Sequence, residues 1–329
     1  MGRRGGMEET LVPAAGLPLE TLPVRGVDFS RPWLTLRAMA RLPLNILQAR
    51  GVIRRFRPDV VVGAAGYVCV PVVLAARSRR VPVVLMDQNA VPGRAVRLLS
   101  RRAKALAASF ASSTVHLPGV RVVHTGNPVR PEILAQLPAP VPAAPSHLLV
   151  MGGSQGARRI NDAMAGAVRG LLEAHPGLRI THQCGARDAG WAVPVRAGLP
   201  ETVRERYQVA AFFDDIAERI AASDLVLMRA GGSSIAEVAA LGRPMILVPY
   251  PHAGGHQRFN AEPVVEAGAG RLVPDEELSS VRLRSEVESL LGDVDAWRRM
   301  AAASRGFGRP DAAERVVALL RSIVAESAA

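Results

Sequence analysis

Cysteine, aromatic side chains and long apolar runs are all scarce in this chain of 329 residues, and each scarcity removes a class of protein. Its two cysteines, Cys69 and Cys184, stand far apart and form no CxxC pair, which argues against a disulfide framework or a cysteine zinc site and predicts two buried reduced thiols. Aromatic residues make up 4%, too few for an aromatic-rich β-sandwich or for a platform on which nucleic acid bases stack. No run of about 18 apolar residues could span a bilayer, and nothing has the pattern of a cleaved signal peptide. The chain therefore reads as cytoplasmic, with room for attachment to a membrane surface.

What is abundant is Ala, Val, Leu, Gly and Arg, and 49% of residues are hydrophobic. The length exceeds what one core usually serves, so two domains are expected, and small branched residues suit tightly packed parallel sheets. The class is α/β. Lys and Arg number 41 against 29 acidic residues, a formal charge of +12, so an anionic partner is favoured: a phosphorylated substrate, an anionic membrane or nucleic acid. With few stacking residues and no reader motif, nucleic acid is set aside.

Short β-branched runs alternate with helical segments. In the first half Asp59 to Val62, Val81 to Leu85 and Arg121 to His124 read as strands, with helices near Val68 to Ser78 and Pro92 to Arg102. The prolines of Leu137 to Ser146 cannot continue a helix or a central strand, which makes that segment the expected linker between residues 1–136 and 147–308. After it come His147 to Met151, Leu178 to His182, Gln208 to Ala211, Asp224 to Met228, Pro244 to Val248 and Gly270 to Val273 as strands of a second parallel sheet. Two doubly wound domains facing a cleft are inferred, with residues 309–329 as a last helix free to pack on either. Nothing before Leu22 to Val24 reads as a strand, so the first domain looks short by about one βαβ unit of roughly 30 residues.

Two glycine-rich turns carry the strongest local chemistry. Met151 to Ala157, Met-Gly-Gly-Ser-Gln-Gly-Ala, leaves a strand and opens a helix, where free N–H groups and the helix dipole favour an anion. It lacks the Lys-Ser/Thr of a Walker A loop and is no GxGxxG fingerprint. Gly231 to Glu237 has the same form. Ser234 with Glu237 fits a capping box, while the Glu237 carboxylate could instead accept two ribose hydroxyls; spacing does not choose. Met86 to Gly93 leaves a strand where open sheets bind ligands, and Gln88 and Asn89 there suit either a sugar or an Asx turn. Arg130 could pair with a phosphate or with a carboxylate. Gln257 and Asn260 sit at a helix start, where amides fork to hydroxyls or cap. His252 and His256 would share a helix face, but Gly254 and Gly255 between them argue against a helix and so against a metal.

From Phe29 to Pro58 there are seven arginines and no acidic residue, interleaved with Trp33, Leu34, Leu36, Met39, Leu42, Leu44, Ile46 and Leu47. That mixture fits docking onto an anionic membrane, through Trp33, Leu34, Arg37 and Arg41 among others, or equally a solvated helix with its apolar side in a core.

Taken in order, Leu11-Val12-Pro13 with Pro23 to Gly26, Gly66-Tyr67-Val68, Gln88 to Gly93, Gly126 to Arg130, Gly152 to Ala157, Phe212 to Ile216, Arg229 to Glu237, and His256-Gln257 with Asn260-Ala261 resemble the MurG family of peptidoglycan glycosyltransferases over nearly the whole chain. The resemblance implies a GT-B fold and inverting transfer of N-acetylglucosamine from UDP-GlcNAc to lipid I, with no metal or cofactor. It implies donor contacts from Asn89, Arg130, Ser154, Phe213, Gly232, Ser233, Ser234, Ile235, Ala236, Glu237 and Gln257. Phe213 would lie by the uracil, Glu237 on the ribose, Ser154 near the diphosphate and Gln257 on the sugar hydroxyls. Gly66, Tyr67 and Asp87 become acceptor-side candidates, and the basic apolar segment a peripheral dock on the cytoplasmic face of the membrane.

The chain departs from that family on the acceptor side. The family's opening strand with its Gly-Gly-Thr-Gly-Gly-His type loop, which carries a candidate base, has no counterpart here, so the catalytic residue is unassigned. The Gly-Gly-Tyr loop has become Ala65-Gly66-Tyr67, and the His-Glu before Gln-Asn has become Met86-Asp87. A fragment that begins late is the expected explanation. A donor-binding protein without turnover and another GT-B enzyme such as a UDP-GlcNAc epimerase are the rivals.

Overall fold

Every strand pair among the described residues is parallel, as the alternation of buried apolar runs with helices requires. The computed structural model describes residues 1–24, 32–140, 142–153, 156–251 and 256–328. They divide into two units, Met1–Thr125 with Glu314–Ala329, and Gly126–Ala313.

In the first unit, strands β1 (Gly2–Arg3) and β2 (Thr21–Leu22) pair with each other, and β3 (Val61–Ala64), β4 (Val83–Asp87), β5 (Ala105–Ala108) and β6 (Val122–His124) form a sheet in that order. One face of this sheet packs Leu85, Leu106 and Ala108 against Val72, Val73 and Ala76 of the helix Cys69–Ser78. The other packs Val84, Ala105 and Ala107 against Val316, Leu319 and Ile323 of the helix Ala312–Ala328, so the last helix belongs to this unit. Its far end is tied by Arg121 to Glu326 at 2.9 Å.

The first unit holds one strand that the sequence did not reveal and one in a region read as having none. Ala105 to Ala108 is a strand that propensity concealed, because Ala and Leu favour helices; burial on both faces of a parallel sheet overrides that preference. A short βαβ also ends at Leu22, with its first strand at Gly2–Arg3: β1, the helix Glu8–Ala14, then β2, with Gly2 paired to Thr21 and Arg3 to Leu22. Two-residue strands show no periodicity, which is why the pattern missed them.

The helix Pro32–Phe56 buries Asn45, Ala49 and Ile53, while Trp33, Leu36, Met39, Leu44 and Leu47 are each at least 60% exposed. Arg41 is exposed as well; the side chains of Leu34 and Arg37 lie outside the described residues. Among the described residues no helix is long and apolar enough to cross a membrane.

In the second unit, β7 (His147–Met151), β8 (Arg179–Gln183), β9 (Tyr207–Ala210), β10 (Leu225–Met228), β11 (Met245–Leu247) and β12 (Gly270–Leu272) pair in the order β12-β11-β10-β7-β8-β9. The chain thus winds outward from β7 on one side, then restarts at β10 on the other. The join between β7 and β10 is a topological switch point, where the loops leaving the two strands diverge and open a crevice. The helix Arg158–Ala174 covers this sheet with Ile160, Met164, Ala167, Val168, Leu171 and Leu172, at the spacing of one helix face. The proline-rich segment packs on this same unit: Arg243 donates to the Pro140 carbonyl at 2.9 Å and Arg298 to that of Ala143 at 2.8 Å.

Candidate functional site

At the switch point lies a cavity of about 820 Å³, within the range of small-molecule sites. The glycine-rich turn after β7 forms one wall. Gly153 and Gly156 adopt φ of +75° and +82°, and a Cβ on Gly156 would fall 2.8 Å from the Cys184 carbonyl oxygen, so this turn requires glycine. Gly152 N–H donates to the Gln183 carbonyl at 3.0 Å, fixing the turn to β8. Ser154 and Gln155 lie outside the described residues.

The turn after β10 forms the facing wall. Gly231 precedes the helix Gly232–Ala240, and no side chain caps its start. The capping box read from Ser234 and Glu237 is therefore not formed. Glu237, 15% exposed, instead accepts from Arg130 Nε at 2.7 Å and Nη2 at 3.1 Å, and this hydrogen bonding raises the guanidinium pKa further. Gly231, Ser234, Glu237 and Arg130 all line the cavity. Ser233 accepts from Asn127 Nδ2 at 3.3 Å, Gly232 and Ile235 are buried, and Ala236 is half-buried, so these contribute backbone and packing. The buried Asn260 donates to the Ala230 carbonyl at 3.1 Å and holds the turn from behind.

Gln257 lines the cavity with its Oε1 accepting from Tyr250 N–H at 2.9 Å, which turns its NH2 group away from that backbone. His256 begins the helix His256–Glu266, while His252 lies outside the described residues. No metal-binding cluster occurs among the described residues. Of the paired phenylalanines, Phe212 lines the cavity; the Phe213 ring lies under Arg219, whose Cζ is 3.8 Å from its centroid, and Phe213 N–H donates to Gln183 Oε1 at 3.2 Å. The ring on the cavity wall is thus that of Phe212, while Phe213 has its ring against Arg219 and its N–H on Gln183.

A buried polar chain that the sequence did not reveal supports the glycine-rich turn. Asn161 Nδ2 donates to the Cys184 carbonyl at 2.9 Å and to Asp188 Oδ2 at 2.6 Å, so its Oδ1 faces His182 Nε2 at 3.0 Å and that nitrogen carries the proton. His182 Nδ1 must then accept from the Tyr207 hydroxyl at 2.8 Å. Burial pushes the imidazole down to about 3 and keeps it neutral. Asp188, 8% exposed, closes the chain beside the turn and also accepts from Arg158 at 3.3 Å.

The remaining sequence candidates belong to the first unit, in the loops at the carboxyl ends of β3 and β4. Asp87, 2% exposed, accepts from Asn89 N–H at 2.9 Å and Asn89 Nδ2 at 3.2 Å through Oδ1, and from Gly93 N–H at 2.8 Å through Oδ2. Asp87 therefore shapes the loop that presents Asn89. Ala65 takes a left-handed φ of +55° and Gly66 +75°, with Tyr67 exposed just after them. The Ala65 carbonyl accepts from the Cys69 thiol at 2.6 Å, and burial pushes that thiol up to about 11. Cys69 and Cys184 are both free and buried.

Rossmann-like units of parallel sheet, with two helix starts and a cavity at the switch point of the second, are those of the GT-B fold class. The glycosyltransferase family 28 N-terminal domain matches residues 1–108 and its C-terminal domain residues 147–316, and the chain belongs to that family. It is similar to a UDP-N-acetylglucosamine–N-acetylmuramyl-(pentapeptide) pyrophosphoryl-undecaprenol N-acetylglucosamine transferase of Desulforudis audaxviator, 39% identical over 98% of this chain and 89% of the relative. The Rhodospirillum rubrum protein of the same name is 43% identical over 87% of this chain and 74% of its own. Among solved structures, MurG of Acinetobacter baumannii superposes with a TM-score of 0.78 at 27% identity, covering 97% of this chain and 89% of that one. A UDP-N-acetylglucosamine 2-epimerase of Neisseria meningitidis, at 15% identity and a TM-score of 0.63 over 96% of this chain and 89% of that one, shares the fold alone.

Proposed function

We propose that this chain transfers N-acetylglucosamine from UDP-GlcNAc to lipid I with inversion, acting from the cytoplasmic surface of an anionic membrane. The observation that carries the reading is the Arg130–Glu237 pair on the wall of a cavity bounded by a glycine-rich turn and a helix start. A carboxylate on that wall suits a ribose diol, and the N–H groups at the starts of Arg158–Ala174 and Gly232–Ala240 suit a diphosphate. When the acceptor hydroxyl attacks the anomeric carbon, negative charge grows on the departing UDP, where those dipoles act most strongly. The hydroxyl proton needs a base, which is left unassigned. Donor contacts are assigned to Asn89, Arg130, Ser154, Ser234, Glu237 and Gln257, with Phe213 and residues 232–236 beside them; Gly66 and Tyr67 are assigned to the acceptor.

The relatives' names supply the acceptor: an undecaprenyl pyrophosphate bearing N-acetylmuramyl-pentapeptide. A lipid-linked substrate calls for a protein that works at a bilayer, and the exposed Trp33, Leu36, Met39, Leu44 and Leu47 beside arginines suit an anionic surface. Transfer of radiolabelled N-acetylglucosamine to a lipid I analogue tests the proposal. Saturable donor binding without transfer would leave a sugar-nucleotide binding protein, a reading favoured by one observation: both oxygens of the acceptor-side carboxylate Asp87 are committed to its own loop.

A further inference from the structure

Five arginines line the cavity of the second unit: Arg130, Arg158, Arg159, Arg187 and Arg229. Four of them are engaged. Arg130 forks onto Glu237; Arg158 contacts Asp162 at 3.1 Å and Asp188 at 3.3 Å; Arg159 donates to the Glu276 carbonyl at 2.6 Å; Arg229 donates to Asp275 at 2.5 Å and to the Val248 carbonyl at 3.1 Å. Arg187 makes no hydrogen bond or ion pair with any of the described residues. We infer that Arg187 is a further ligand-binding residue, the cation that pairs with the diphosphate of the sugar nucleotide beside the glycine-rich turn; this rests on the proposed donor reading.

Three observations converge on that assignment. The first is position: the turn Ala186–Asp188 follows Gly185, whose Cα lies 3.6 Å from where a Cβ on Gly156 would stand, so Arg187 is carried right beside the turn expected to hold phosphate. The second is support. Asp188 is pinned by Asn161 at 2.6 Å, and Asp188 N–H donates to the Gly185 carbonyl at 3.2 Å, so the backbone bearing Arg187 is fixed although its own side chain is exposed.

The third is charge. Glu237, Asp188 and Asp275 also line the cavity and each holds an arginine, so those three cations arrive already paired. A diphosphate entering the cavity meets three carboxylates, and among the lining arginines Arg187 is the guanidinium it can engage without breaking an ion pair or a hydrogen bond to any of the described residues. Guanidinium presents a planar fork of donors that matches two phosphate oxygens at once, which an ammonium does not.

Calorimetric titration of the full chain with UDP and with uridine, for the wild type, Arg187→Ala and Arg187→Lys, tests this. Arg187→Ala is expected to weaken UDP binding by about 10-fold or more, leave uridine binding unchanged and raise KM for UDP-GlcNAc, with Arg187→Lys recovering part of the loss. UDP affinity within about twofold of wild type in folded Arg187→Ala overturns the inference and leaves the donor site standing. Equal losses for UDP and uridine also overturn it, since they mark a structural effect away from the phosphates. A wild-type chain that binds neither ligand sinks the donor reading itself.

Discussion

Arg130 and Glu237 meet as a two-pronged ion pair, Nε to Oε1 at 2.7 Å and Nη2 to Oε2 at 3.1 Å, with the carboxylate 15% exposed and the guanidinium 51% exposed. A pair with one solvated partner is worth little to the fold, about 1 kcal/mol or less, so a ligand can rearrange it cheaply. What the pair does is aim the carboxylate. Replacing Glu237 by Ala should therefore leave the fold intact and weaken UDP-GlcNAc binding by about 1 to 3 kcal/mol, read as Kd. Unchanged affinity in the folded variant would remove Glu237 from the donor site.

Asn161 makes three buried hydrogen bonds and is fully enclosed. Asn161→Ala strands the His182 N–H, loses a bond to the Cys184 carbonyl and leaves Asp188 short of a donor. The cost should be about 2 to 4 kcal/mol in urea unfolding, well above a surface substitution. A loss below about 1 kcal/mol would show that water or repacking replaces the chain.

The buried neutral His182 makes stability depend on pH. Its folded value near 3 lies below the ordinary value of 6.5, so the unfolded chain binds the proton more readily. Stability from this residue is present above about pH 6.5 and is lost as pH falls toward 3, with a slope of up to about 1.4 kcal/mol per pH unit. His182→Gln should be less stable at pH 7.5 yet show a shallower decline between pH 6.5 and 5. Parallel curves for the two proteins would refute the assignment.

Leu36 and Met39 project from the helix Pro32–Phe56 with 70% and 62% of their surface exposed. The double substitution Leu36→Glu with Met39→Glu should reduce sedimentation with vesicles rich in anionic lipid by about 10-fold or more and leave UDP-GlcNAc binding unchanged. Equal sedimentation of both proteins would assign the dock elsewhere.

Much of the second unit was legible because β7, β10 and β11 are buried, mostly apolar runs bounded by Gly152, Asp224 and Pro244, and because glycine is needed where Gly153 and Gly156 turn with positive φ. The ordered motifs also pointed to Arg130 and Glu237. Spacing left Glu237 between a cap and a ligand contact, and the missing cap at Gly231 with the fork to Arg130 decides against the cap. The chain from Tyr207 through His182 and Asn161 to Asp188 left no local signal, since its members meet only through the register of β8 on β9 and the docking of a helix. Phe212 and Phe213 are neighbours of one type, and which ring reaches the cavity depends on the Arg219 stack. In the first unit, Ala105 to Ala108 went unread because its small side chains are set by the helix they must admit, about 200 residues further along.

Calorimetric titration of the folded chain with UDP-GlcNAc puts the central claim, a sugar-nucleotide site at the switch point of the second unit, to its most direct test. One saturable site per chain, weakened by Glu237→Ala, is the predicted result; no saturable heat on folded protein would contradict it.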